Sequence, residues 1–224
     1  MSAPELRPNV SVAAPSVINR TLRNAYLLLS MALAVAAVGA GIGLAAGLGW
    51  SLGMWVVFMV VFIGGPFAIH AVRSGQAAIL MTFAWTGLVG FLLSPLVNAY
   101  LSMPGGSSIV FNALATTAVL FVALSAYAVI SRKDFSFMGG FLFAGMIVVV
   151  LAIVANIFLN IPLLSVVISA VAVMLMCGLI LFDTSRMIHD GEANPVHMVV
   201  SLFANLTVLF SHLLNLFSFL SGED

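Results

Sequence analysis

Seven apolar stretches, each of about twenty residues or more, follow one another along the chain with only short polar breaks between them. A run of that length matches the thickness of a bilayer's hydrocarbon core, and no soluble fold needs seven in succession. Composition supports the same reading: of 224 residues 63% are hydrophobic and 6% charged, against roughly 25% charged in a soluble domain. Seven basic and seven acidic side chains cannot cover the surface of a water-soluble protein of this size. In lipid every backbone N–H and C=O needs an internal partner, which leaves helices or closed barrels. Barrel strands alternate polar and apolar residues over about ten positions; these runs do not alternate. The expectation is an all-α polytopic membrane protein with seven transmembrane helices.

The breaks place the spans at about Tyr26–Trp50, Ser51–Ala71, Ala77–Leu101, Ser108–Ile130, Phe135–Phe158, Leu163–Met187 and Pro195–Leu220. Gly64-Gly65-Pro66 interrupts the second in character and Pro95 lies in the third. Residues 1–20 mix polar and apolar types without a helical period and read as a disordered cytoplasmic tail. Residues 21–224 form the seven-helix transmembrane domain. The basic residues fix an orientation. Arg7, Arg20 and Arg23 precede the first span, Arg73 follows the second, Arg132 and Lys133 follow the fourth, and Arg186 ends the sixth. All seven fall on one side, which the positive-inside rule assigns to the cytoplasm. The C-terminus, Ser221-Gly222-Glu223-Asp224, then emerges in the periplasm.

Asp183 is the carboxylate that falls inside a span. Burying it there demands an aqueous cavity, a cationic partner or a neutral form. Arg186, three residues on, is close enough to pair with it on one helix. Two readings stay open, an interfacial ion pair and a protonatable gate. In the last span Asn194, His197, Ser201, Asn205, His212 and Asn215 fall within a sector roughly 80° wide at about 100° per residue. Lipid would penalise such a stripe, so it turns inward, either to hydrogen-bond neighbouring helices or to wall a hydrated path. His197 and His212 are candidates to titrate near neutral pH.

Other features read more simply. Gly39, Gly43 and Gly47 repeat every fourth residue, which suits close helix contact within the bundle or between two copies. Cys177, the one cysteine, sits in an apolar run and reads as a buried side chain. His189, Asp190 and Glu192 form a loop cluster. No nucleotide-binding, nucleophile-elbow or zinc-binding motif occurs, so the sequence points to no enzyme, no cofactor and no metal. The zero net charge gives no argument for nucleic acid.

Four segments are distinctive together: Phe83-Ala84-Trp85-Thr86-Gly87 with Pro95 and Asn98; Arg132-Lys133-Asp134-Phe135-Ser136-Phe137-Met138-Gly139-Gly140; Asn156-Ile157-Phe158-Leu159 with Pro162; and Leu181-Phe182-Asp183-Thr184-Ser185 followed by Ile188-His189 and Gly191-Glu192. With Leu22-Arg23-Asn24-Ala25-Tyr26 at its start, the chain from there to the C-terminus resembles the bacterial YccA branch of the Bax-inhibitor-1 (transmembrane Bax-inhibitor-motif) family. The resemblance implies a seven-helix fold with helix 7 central in the bundle. In the family's calcium-leak members two intramembrane aspartates form a pH-sensitive latch. The first maps onto Asp183, but the second position reads Asn205, and an amide cannot share a proton as a carboxylate pair does. Helix 2 lacks the arginine of those members and carries His70 at its end. Candidate pH-sensing or gating residues are therefore Asp183, Arg186, Asn205 and His212. The branch is associated with the FtsH membrane protease of the bacterial inner membrane. The resemblance thus implies a modulator, and a possible substrate, of that protease, with the lipid bilayer as its medium. The alternative is a pH-sensitive cation leak for calcium or protons.

Overall fold

The computed structural model describes residues 15–72, 74–189 and 194–222, the side chains of 15–20 excepted. Seven long helices follow in chain order: α1 (Pro15–Ala45), α2 (Leu52–Ala71), α3 (Gly75–Leu101), α4 (Gly106–Ser131), α5 (Gly139–Leu159), α6 (Pro162–His189) and α7 (Pro195–Ser221). Among the described residues a single 3₁₀ turn occurs, Ser136–Met138, which leads into α5. All seven are long and apolar enough to cross a membrane. The seven expected spans are therefore present, and the protein is an all-α polytopic membrane protein.

Boundaries differ most at the two ends of α1. α1 begins at Pro15, so the tail expected over residues 1–20 is helical in its last six positions. Proline suits the first helical position because its φ is already helical and its missing N–H would have had no partner. Residues 1–14 lie outside the described residues. α1 also stops at Ala45, short of Trp50, and Gly47 turns the chain with φ +65°.

Short connections make sequential helices antiparallel. Three contacts between distant segments bear this out: His70 at the end of α2 meets His197 at the start of α7, Phe135 before α5 meets Ser185 near the end of α6, and Met103 after α3 meets Ser218 near the end of α7. One end of the bundle therefore carries Arg23, Arg132, Lys133 and Arg186, and is called the basic end below.

α7 is the most enclosed helix. Of its most apolar stretch 61% is buried, against 44% for α3 and 6% for α2. Leu202, Leu206, Leu209 and Leu214 on α7 pack with Ala172, Met176 and Ile180 on α6 in the core. Helix 7 is central, as expected. The outer faces of α2, α4 and α5 present exposed Val, Ile, Leu and Phe, the surface that lipid requires.

α1 and α3 approach so closely that glycine is obligatory. A Cβ on Gly39 would overlap the carbonyl oxygen of Gly87, and one on Gly90 would overlap that of Ala36. Gly43 sits against Ser94. The glycine repeat thus serves packing inside the bundle, as far as its first two members go. Gly47 lies beyond the helix and takes no part. α2 is held to α3 by the Trp85 indole, whose N–H donates to Val61 O at 2.9 Å. Gly65 makes room for that ring. Pro66 does not break α2, which runs on to Ala71.

Candidate functional site

The polar stripe of α7 finds its partners mainly on α6. Near the basic end, Asp183 is 9% exposed and its Oδ2 accepts two hydrogen bonds. One comes from the Ser201 hydroxyl at 2.5 Å and one from the Asn205 amide nitrogen at 2.8 Å. Both donors sit on one face of α7, a turn apart, which is the spacing that brings two side chains onto the same acceptor. Arg186 lines the same cavity as Asp183, while its guanidinium carbon stands 5.6 Å from the Phe182 ring centroid. Hydrogen bonds to Ser201 and Asn205 thus tie the carboxylate across to α7, while Arg186, three residues on along α6, acts on the same carboxylate electrostatically.

This junction forms the wall of a cavity of about 480 Å3 lined by Pro66, His70, Asp183, Arg186, His197 and Ser201, among others. In its wall the rings of His70 and His197 stack at 3.9 Å between centroids, with planes 21° apart. His70 Nδ1–H donates to Pro66 O at 2.6 Å. Asn194 caps α7, accepting from the Val196 N–H at 3.0 Å.

The remaining stripe residues face a second cavity toward the other end. Ser169 Oγ and His212 Nδ1 are hydrogen-bonded at 3.0 Å, and the Asn215 amide nitrogen donates to Ser165 Oγ at 2.7 Å. With Asn156 and Asn160 these side chains line about 340 Å3 of space. Between the two cavities lie Ala172, Met176, Ile180, Leu206 and Leu209, all buried and apolar. The stripe that looks continuous along α7 is therefore two polar patches on either side of an apolar septum. His212 is not brought to Asp183; the two belong to different cavities.

Sequence reasoning missed three participants. Ser165 and Ser169 lie among apolar residues of α6 and resemble any helical serine. His70 was noted only as the ionisable group of α2, and nothing local marks it as a ring partner for His197. Asp190 and Glu192 of the loop cluster lie outside the described residues, while His189 Nδ1–H donates to Ser185 O at 2.9 Å. Among the described residues no group of three or more His, Cys, Asp or Glu is placed to hold a metal ion. Cys177 is half-buried and free.

Comparison with known proteins adds relatives to this geometry. The profile of the family described as "Inhibitor of apoptosis-promoting Bax1" matches residues 18–222. The chain is 40% identical over 205 residues to "Modulator of FtsH protease YccA" of Escherichia coli (strain K12), with 92% of each chain covered. It is 41% identical over 206 residues to a protein of Pasteurella multocida, again with 92% of each covered. A membrane protein of Vibrio cholerae is 36% identical over 227 residues and is matched along its whole length.

Proposed function

The chain belongs to the Bax inhibitor-1 family, and from that premise we propose that it is an inner-membrane modulator of an FtsH-type protease. The carrying observation is the 40% identity over 92% of both chains with the Escherichia coli protein that bears that description. Identity at that level, over 92% of both chains, favours a shared role as well as a shared fold. The arrangement of basic residues supports a cytoplasmic N-terminus and a periplasmic C-terminus. The N-terminal tail is then on the side where an ATP-dependent protease engages its substrates, and the chain is itself a candidate substrate.

In this reading the Asp183–Ser201–Asn205 junction is a packing lock. It fixes α6 to α7 so that the basic end presents one shape to the partner. The test uses proteoliposomes that hold the protease, ATP and a membrane-protein reporter substrate, with and without this chain. Degradation of the reporter should slow when the chain is present. A version lacking residues 2–14 should itself be degraded more slowly than the full chain. Reporter degradation that proceeds at the same rate with and without the chain would refute the modulator role.

The second reading, a pH-sensitive leak for calcium or protons, has one observation in its favour: both cavities lie on the same stripe of α7. Against it stand the apolar septum and the amide at Asn205. Ion flux in proteoliposomes containing this protein alone would promote it.

A further inference from the structure

The conspicuous segment left without a role is the turn between α4 and α5, Arg132-Lys133-Asp134-Phe135-Ser136-Phe137. Its backbone is held at several points. Ser185 Oγ accepts from the Phe135 N–H at 3.0 Å and donates to Lys133 O at 3.1 Å, tying the turn to α6. Asp134 Oδ1 accepts from the Ser136 N–H at 2.8 Å and from the Ser136 hydroxyl, so its charge is engaged within the turn. The Phe135 ring packs 6.2 Å from Tyr127. Against this fixed frame Arg132 and Lys133 are exposed, and among the described residues neither side chain has a hydrogen-bond or ion-pair partner. Phe137 is 81% exposed at the entrance to α5.

Arg132 also stands in the left-handed region, with φ 49° and ψ 25°. A side chain with a Cβ is disfavoured there, and helices ending this way place Gly or Asn at that position. The chain follows the rule at the end of α5, where the left-handed residue is Asn160. Only at Arg132 among the described residues does it depart from the rule. Strain of this kind persists where the side chain has a task.

We propose that this turn binds the phosphate headgroup of an anionic phospholipid. The guanidinium supplies a planar fork of N–H donors for phosphate oxygens, and Lys133 adds a second cation beside it. The turn lies where α4 leaves the membrane-spanning region and α5 enters it, the depth at which headgroups lie. Phe137 places an apolar ring against the acyl boundary below them. Because Ser185 is two residues from Asp183, an occupied headgroup site would steady the end of α6 and so the junction with α7.

The experiment measures association of spin-labelled phosphatidylglycerol, relative to phosphatidylcholine, with the full chain in bilayers. Lys133→Gln should lower the preference about fivefold, since a cation within about a Debye length of the bound headgroup is worth that factor. Arg132→Gly should lower it similarly while raising the thermal midpoint by about 2–4 °C, because glycine relieves the left-handed strain. Arg23→Gln, an exposed cation on α1 and outside the turn, should change it less than about twofold, because screening limits its pull on a headgroup held at the turn. Preference unaltered by Lys133→Gln and Arg132→Gly, or lowered as much by Arg23→Gln, would overturn the proposal. So would a fall in the thermal midpoint of Arg132→Gly with preference intact, since the arginine would then serve the backbone alone.

Discussion

Removing Asn205 as a donor tests whether the α6–α7 junction is a hydrogen-bonded lock or two side chains that happen to be near. Asn205→Leu keeps the approximate volume and deletes the 2.8 Å bond to Asp183 Oδ2. Both side chains are 9% exposed, so the carboxylate would keep the Ser201 hydroxyl as its remaining donor from α7. A hydrogen bond to a charged group contributes about 1.5–3 kcal/mol in soluble proteins. Between transmembrane helices the average is about 0.6 and the maximum about 1.7 kcal/mol, because the unfolded chain in lipid finds other partners. Water in the adjoining cavity can partly replace the lost donor, which argues for the middle of these ranges. Asn205→Leu should therefore cost about 1 kcal/mol. In an Asp183→Leu background the same substitution should cost nothing or stabilise, since removing both members of a buried polar pair leaves no orphan. The assay is reversible unfolding in mixed micelles, run as a double-mutant cycle. Equal costs of Asn205→Leu in the two backgrounds would show that the bond carries no energy, and the lock would be refuted.

Three further outcomes are expected. Asn205→Asp sets a second carboxylate within hydrogen-bonding distance of Asp183, where one shared proton is favoured; spin labels on α6 and α7 should then move with pH between about 6 and 8, and a variant as insensitive as the wild type would show that the family's latch does not transfer to these positions. Gly90→Val should destabilise by more than about 2 kcal/mol, as overpacking against the α1 backbone demands, whereas Gly41→Ala, which faces open space, should be neutral or slightly stabilising in thermal melts. Ser136 holds the Asp134 carboxyl below its ordinary range, first through its hydroxyl and then through its backbone N–H, with a further contribution from His189. A depressed acid stabilises the fold above its unfolded pKa and loses that contribution as pH falls through the folded value, so any Asp134 contribution should be flat above about pH 5 and vanish in stronger acid. Asp134→Asn should flatten the acid limb of a stability–pH curve, and a change confined to neutral pH would contradict this origin.

Much of the architecture was legible because membrane burial writes long runs. Each helix announced itself by uninterrupted apolar length, and boundary errors arose where end chemistry outranked hydropathy, as at Pro15 and Gly47. The stripe on α7 was legible because a period of 3.6 residues maps directly onto a face. Its division into two cavities was not legible. That depends on which residues of an antiparallel neighbour stand opposite, and Ser165, Ser169 and Asp183 carry no mark of their register against α7. Arg186 was legible as a neighbour of Asp183 by local spacing, whereas the hydrogen bonds from Ser201 and Asn205 depend on long-range geometry. The stacking of His70 on His197 joins residues far apart in the chain, and no single-helix pattern encodes it.

The septum between the two polar cavities has an electrical consequence. Asn205 and His212 are seven residues apart on α7, about 10 Å along the axis, whereas the hydrocarbon core is about 30 Å thick. With water in both cavities, nearly the whole membrane potential falls across that short apolar layer. The local field there is about threefold stronger than in unbroken lipid. A unit charge driven across the full drop exchanges about 2.3 kcal/mol per 100 mV, more than the hydrogen bond between Asp183 and Asn205 is expected to hold. Asp183 and His212 stand at the two faces of this layer. An energised membrane thus pulls hardest on the part of the bundle where α6 and α7 are joined.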